Sequence, residues 1–190
     1  MIPPLGPDGH LPLGRYPCSL DELESEFVSA PRYTSSVRRR VVFDGLLKYL
    51  DAWERATERF GTDILTAFWV GGSFASAELD PEDIDISPLI DGAELRRIDG
   101  KPGTKRVKEL IGKRAKVRDD YHVEPFSVVR HPFTTVKARA LTVDEHTYVE
   151  SRGIFDDFWQ RCRSTGAAKG PMLEVDAVPR RGYLEVDPWQ

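Results

Sequence analysis

The sequence is poor in several features that would direct a reading of its function. Cysteine is scarce: Cys18 and Cys162 are the only two, and they match no metal-ligand spacing. They read as reduced thiols, buried or half-buried, in a cytoplasmic protein, not as a disulfide framework. No apolar run approaches the roughly 20 residues that a membrane-spanning helix needs. The start, Met1-Ile2-Pro3-Pro4-Leu5, lacks the basic segment and apolar core of a secretory signal. No internal repeat is visible, which argues against a solenoid. The chain has no basic excess either: its net charge is −4, so the molecule as a whole is not built to trap polyanions. What remains is ordinary. The 190 residues are 40% hydrophobic and 31% charged, enough for one soluble domain with a real core.

Taken in order, residues 1–18 are rich in proline and glycine and predict an extended arm. Ser19 with Glu22 three residues on predicts a capping box and a short helix. Val37, Val41, Leu46, Leu47, Leu50 and Trp53 form a stripe of helical period, predicting a helix from about residue 34 to Phe60, with Gly61 as its C-cap. Arg38, Arg39 and Arg40 fall in its first turns, where they oppose the helix dipole. A solvated surface is their default reading. Residues 65–70 predict a strand, residues 83–87 a second, and residues 121–129 a third containing Glu124, with His122 on it as a packed or surface residue. Asp91 with Glu94, and Thr142 with Glu145, predict further helix starts. Gly153 predicts a break, and residues 172–175 a short strand. The expected fold is α/β (α+β): a small mixed sheet, helices on one side, an N-terminal arm and a C-terminal helical extension. Residues 19–178 form the expected domain, and residues 179–190 a loosely held tail.

Residues 68–87 organise the chain. An apolar strand ends in Gly71-Gly72-Ser73, and the chain returns with Asp83 and Asp85 alternating with Ile84 and Ile86. A glycine turn suits phosphate, because bare backbone N–H groups can approach it closely. A short helix over residues 74–78 would point its N-terminus at the same place. Period-two alternation puts both carboxylates on one strand face. Paired carboxylates suit Mg²⁺, a hard cation that bridges to substrate phosphates. Together these features suggest a site for a nucleoside triphosphate and its metal.

Val70-Gly71-Gly72-Ser73, nine intervening residues and then Asp83-Ile84-Asp85-Ile86 resembles the signature of the DNA polymerase beta-type nucleotidyltransferase superfamily. Val123-Glu124-Pro125-Phe126 is similar to the third carboxylate that this superfamily carries on a later strand. The resemblance covers roughly residues 64–128. A proline- and glycine-rich arm, an arginine-rich helix and a late Lys169-Gly170 resemble a group of small bacterial proteins built on the same core. It implies an enzyme in which Asp83, Asp85 and Glu124 are catalytic and hold one or two Mg²⁺ ions. Gly71, Gly72, Ser73 and Lys169 would bind the nucleotide (ATP or another NTP). The acceptor could be RNA such as a tRNA end, a protein hydroxyl or a small molecule. Some small members of the superfamily are toxins of toxin–antitoxin or phage-defence modules, which implies a possible antitoxin partner.

Between Arg96 and Arg118 stand ten Lys and Arg (Arg96, Arg97, Lys101, Lys105, Arg106, Lys108, Lys113, Arg114, Lys116, Arg118) against Asp99 and Glu109. Such a stretch serves as a solvated helix face as readily as a landing strip for RNA. Its place between the paired aspartates and Glu124 gives the RNA reading its weight. The rival expectation is a non-catalytic nucleotide- or partner-binding module that keeps the fold.

Overall fold

The computed structural model describes residues 1–163 and 173–189. Its centre is a six-stranded mixed sheet of β1 (Arg15–Ser19), β2 (Leu65–Val70), β3 (Ile84–Asp91), β4 (Val123–Pro125), β5 (Val128–Arg130) and β6 (Tyr183–Asp187). The order is β1-β6-β2-β3-β4, and β5 also pairs with β3. β6 runs parallel to β1 and antiparallel to β2, β2 and β3 are antiparallel, and β4 and β5 run parallel to β3. The expected α/β architecture with a mixed sheet is the one observed.

Among the described residues the helices are α1 (Leu20–Phe27), α2 (Arg39–Thr57), α3 (Gly92–Ile98), α4 (Thr104–Gly112), α5 (Arg114–Tyr121) and α6 (Val143–Trp159). Local chemistry sets several of their starts. Ser19 with Glu22 and Thr142 with Glu145 close reciprocal capping boxes, and Asp91 accepts from the N–H groups of Ala93 and Glu94. Gly61 takes the left-handed conformation after the 3₁₀ turn that ends α2. None of these helices is long and apolar enough to cross a membrane.

Alternation along β2 divides the core in two. Phe68 and Val70 join the main cluster with Leu23 and Phe27 of α1, Leu46 and Trp53 of α2, Leu110 of α4 and Val117 of α5. Trp69 points to the opposite face, where it packs with Tyr183 of β6 and with Tyr148 and Trp159 of α6. Helices therefore cover both faces, not one. The second face is too apolar to be left to water, and α6 runs unbroken through Gly153 to cover it.

Other expectations are corrected as well. Residues 72–75 and 77 are turns and Ser76 is an isolated bridge, so the expected short helix is not there. The predicted third strand is two short ones, β4 and β5, and Tyr121 ends α5 instead. Glu174–Ala177 is a 3₁₀ turn, not a strand. The arm is packed: Leu11 is buried, His10 bridges to Ser76, and β1 forms the sheet edge.

The largest correction concerns the supposed tail. β6 lies inside the sheet, hydrogen-bonded to β1 on one side and β2 on the other, with Tyr183, Leu184 and Val186 fully buried. Removing it would expose that apolar surface and strand β1 without a partner. A chain truncated after Pro179 is expected to lose cooperative thermal unfolding, monitored by circular dichroism. A loosely held tail would leave the melting curve unchanged.

Candidate functional site

The sheet register brings the acidic residues together. Asp85 of β3 stands beside Glu124 of β4 in the parallel ladder, between the pairs Ile84–Val123 and Ile86–Pro125. Asp83, expected to open this strand, lies in the bend just before it, where its charge acts on Asp85. The ladder is pinned at both ends: the Ile84 N–H donates to the His122 carbonyl at 2.9 Å, and the Phe126 N–H to the Ile86 carbonyl at 2.8 Å. His122 does not lie on a strand, as expected, but ends α5 in the left-handed conformation, φ 55°. This turn lets α5 feed directly into β4. Gly45 of α2 permits it, because a Cβ there would lie 2.0 Å from the Tyr121 carbonyl oxygen.

The glycine turn meets the carboxylates from β2. The Gly71 N–H donates to the Asp85 carbonyl at 3.2 Å. Gly72 has φ 66°, and a Cβ on it would stand 2.0 Å from Asp85 Oδ2. Only glycine fits both the backbone conformation and that close approach. Ser73 follows, half-buried, on the same turn. Gly71, Gly72, Ser73, Asp83, Asp85 and Glu124 thus gather in one place. Lys169 lies outside the described residues.

Crowding shapes the electrostatics. Burial first, and then the charges of Asp83 and Glu124, push the Asp85 carboxyl up to about 7. Asp83 is also raised, by burial and then by Glu124, against the opposing pull of Arg118. Glu124 is held by α5: Arg114 reaches Oε1 through Nε at 2.8 Å and Nη2 at 2.7 Å, and Arg118 Nη1 lies 3.6 Å from the same oxygen. Among the described residues, no group of three or more His, Cys, Asp and Glu stands ready-made to hold a metal ion. A polar cleft of about 770 Å³ opens beside Asp83, lined by Arg38, Asp80, Glu82, Arg118, Asp119 and His122.

Two arginines that the sequence reading left on the surface or in the tail build this site. Arg181 donates from Nη1 to the Gly72 carbonyl at 3.2 Å and from Nε to the Trp159 carbonyl at 3.1 Å, and its charge acts on Asp85. The C-terminal end of α6 places it, through bonds from the Arg180 and Arg181 N–H groups to the Gln160 carbonyl. Arg39 is almost wholly buried, at 1% exposure. Its guanidinium donates to the carbonyls of Phe27, Phe74, Ser76 and Glu78 and lies 3.7 Å from the centre of the Tyr33 ring. Arg38 donates to the Glu82 carbonyl, and Asp80 Oδ1 accepts from the N–H groups of Val37 and Arg38, so the loop entering Asp83 is tied to the start of α2. Arg40 pairs with Glu24.

The sequence profile of a family of unknown function (DUF6932) matches residues 3–176. The chain belongs to this family. The match takes in the glycine turn and all three carboxylates, while Arg181 and β6 of this DUF6932 member lie beyond it. No curated protein and no solved structure matches the chain.

Two outcomes follow. Replacing Arg39 by Met leaves four carbonyls without their buried donor and should cost about 3 kcal/mol or more in chemical denaturation. A loss under about 0.5 kcal/mol, the range of ordinary surface changes, would contradict the role given to it. Asp85 has a folded pKa raised to about 7 against an ordinary 3.8. Its contribution to stability is therefore fully present below about pH 4 and lost as pH rises toward 7. With chelator present, Asp85→Asn should melt above the wild type near pH 8, and the gap should close near pH 4. A gap independent of pH would contradict the crowding.

Proposed function

We propose that the chain is a Mg²⁺-dependent nucleotidyltransferase, moving a nucleoside monophosphate from an NTP to an acceptor hydroxyl. One observation carries the reading: Asp85 stands in register with Glu124 and beside Asp83, with its carboxyl against the Gly72–Ser73 turn. The resemblance to the DNA polymerase beta-type superfamily supplies the chemistry. A role as a toxin or phage-defence component with an antitoxin partner belongs to the proposal on that resemblance alone, and a cytoplasmic setting on the two free cysteines.

Asp83 and Asp85 suit Mg²⁺. The ion is usually held by one or two carboxylates plus substrate phosphates, not by an all-protein cage. Their donors are hard oxygens, and their repulsion is of the kind that a divalent cation relieves. Glu124 would take the acceptor's proton as general base, the alternative to completing the metal site as a third ligand. When bound, Mg²⁺ neutralises triphosphate charge and lowers the pKa of the attacking hydroxyl. The remaining work falls to the chain. Gly71 is occupied by its bond to the Asp85 carbonyl and by Trp159, so the phosphates fall to the Gly72–Ser73 backbone and the Ser73 hydroxyl. Arg181 places positive charge beside the same turn. Arg114 and Arg118 both address Glu124 Oε1, which leaves Oε2 to accept the acceptor's proton. The acceptor oxygen bonds to the α-phosphorus, the bond to the bridging oxygen breaks, and pyrophosphate leaves.

A second reading, a non-catalytic nucleotide- or partner-binding module, has its own support. Glu124 is already neutralised by two arginines. Labelled NTPs, Mg²⁺ and total cellular RNA and protein separate the two. The proposal expects label transfer that falls at least 100-fold in Asp83→Ala/Asp85→Ala, about the scale on which single electrostatic contacts act in catalysis. Transfer surviving the double variant would refute the site, and NTP binding without transfer to any acceptor would favour the module.

A further inference from the structure

Most of the basic stretch is neutralised in the fold. Arg96 pairs with Asp144, Arg97 with Glu94, Arg106 with Glu109, Lys108 with Asp99, Lys116 with Asp120, and Arg114 and Arg118 with Glu124. Lys101, Lys105 and Lys113 are left over, flanking α4, and the grooves beside them also carry paired cations: Arg106, Lys108 and, from outside the stretch, Arg55 with Asp51. On one side of Gly103 a groove of about 450 Å³ is rimmed by Lys48, Arg55, Arg59 and Arg106 against a single carboxylate, Asp51. On the other a groove of about 520 Å³ is rimmed by Lys101, Lys105, Lys108 and Lys113 against Asp99 and Glu109. Lys48, Arg59, Lys105 and Lys113 have no ion-pair partner among the described residues. In a chain of net charge −4, this local excess is the exception.

We infer that these paired grooves form a binding face for a single-stranded phosphodiester chain. Two cationic grooves in series suit a polyanion with regularly spaced phosphates better than one compact anion. The first groove also has an apolar floor of Ala52, Ala56 and Tyr121, against which an unpaired base can lie and a duplex, its bases hidden, cannot. The face adjoins the carboxylates through α5. Lys113 precedes Arg114, which holds Glu124, and Arg106 donates to the Tyr121 hydroxyl next to His122 of the cleft. Eight residues of helix, roughly 12 Å, separate the two ends. The strand is therefore the class of acceptor. That role rests on the nucleotidyltransferase reading, whereas the binding itself does not.

The test is fluorescence anisotropy on the full chain with a short labelled single-stranded RNA of mixed sequence, over a KCl series. Single-stranded DNA of the same sequence and phosphatidylserine vesicles serve as further arms. Affinity is expected to fall with salt at a log–log slope of about −0.7 for each phosphate neutralised. Arg59→Glu/Lys105→Glu should weaken binding tenfold or more and flatten that slope, while Arg32→Glu/Arg40→Glu, an equal charge change elsewhere, should leave it within about twofold. Circular dichroism checks that both variants fold. Tighter binding of RNA than DNA identifies RNA as the acceptor strand, and the reverse identifies DNA. Salt-independent binding, equal effects of the two charge reversals, or a preference for vesicles would overturn the inference. Normal binding with no label transfer in the wild type would sink the enzymatic reading and keep the face. Transfer to another acceptor without strand binding would do the opposite.

Discussion

The crowding of Asp83, Asp85 and Glu124 at the paired starts of β3 and β4 is the constraint on which the rest of this structure turns. Asp83, Asp85 and Glu124 repel one another, and burial removes the water that would screen them. A fold selected for stability alone would not place them there. The chain holds them by geometry: β3 and β4 in parallel register, a left-handed turn at His122, and Gly72 giving Asp85 the space that a Cβ would take. Arg114, Arg118 and Arg181 offset part of the charge without removing the crowding.

The turn that faces the carboxylates has no regular structure of its own, so its shape is imposed from outside. Arg39 does most of this, collecting carbonyls from the end of α1 and from residues 74–78 in one buried fork. The Tyr33 hydroxyl and the Gly9 carbonyl bind the same segment, at Ser76 and Ala77. From the other end of the chain, Arg181 reaches Gly72 just before β6 enters the sheet between β1 and β2. Both terminal segments therefore support the central turn. A buried arginine bonded only to carbonyls is costly to desolvate and is stabilising only when every donor finds an acceptor.

What could be read from the sequence was local. β2 was legible because it is a continuous apolar run ended by two glycines, and the capping boxes at Ser19 and Thr142 because their partners lie three residues away. The co-location of the glycine turn with Asp83 and Asp85 was legible through alternation and spacing, whereas Glu124 was implied only by the resemblance to the nucleotidyltransferase superfamily. β6 was not. It is five residues long, its partners β1 and β2 lie more than a hundred residues back, and the surrounding prolines resemble a tail. Its one signal was the alternation of Leu184 and Val186 with Glu185 and Asp187. Missing β6 meant missing Arg181. Arg39 was hidden for a related reason: an arginine at a helix start gives no sign that distant carbonyls will converge on it.

The central claim is that the crowded carboxylates are the divalent-cation site of a phosphate-handling centre. Electron paramagnetic resonance with Mn²⁺, a spectroscopic stand-in for Mg²⁺, tests it most directly because it needs neither acceptor nor turnover. The account predicts saturable binding to the wild type, tightened by an NTP and abolished by Asp83→Asn/Asp85→Asn, with Arg39 and the glycine turn intact. A spectrum with NTP that is no different from that of the Mn–NTP complex without protein, or equal binding to the double variant, would contradict it.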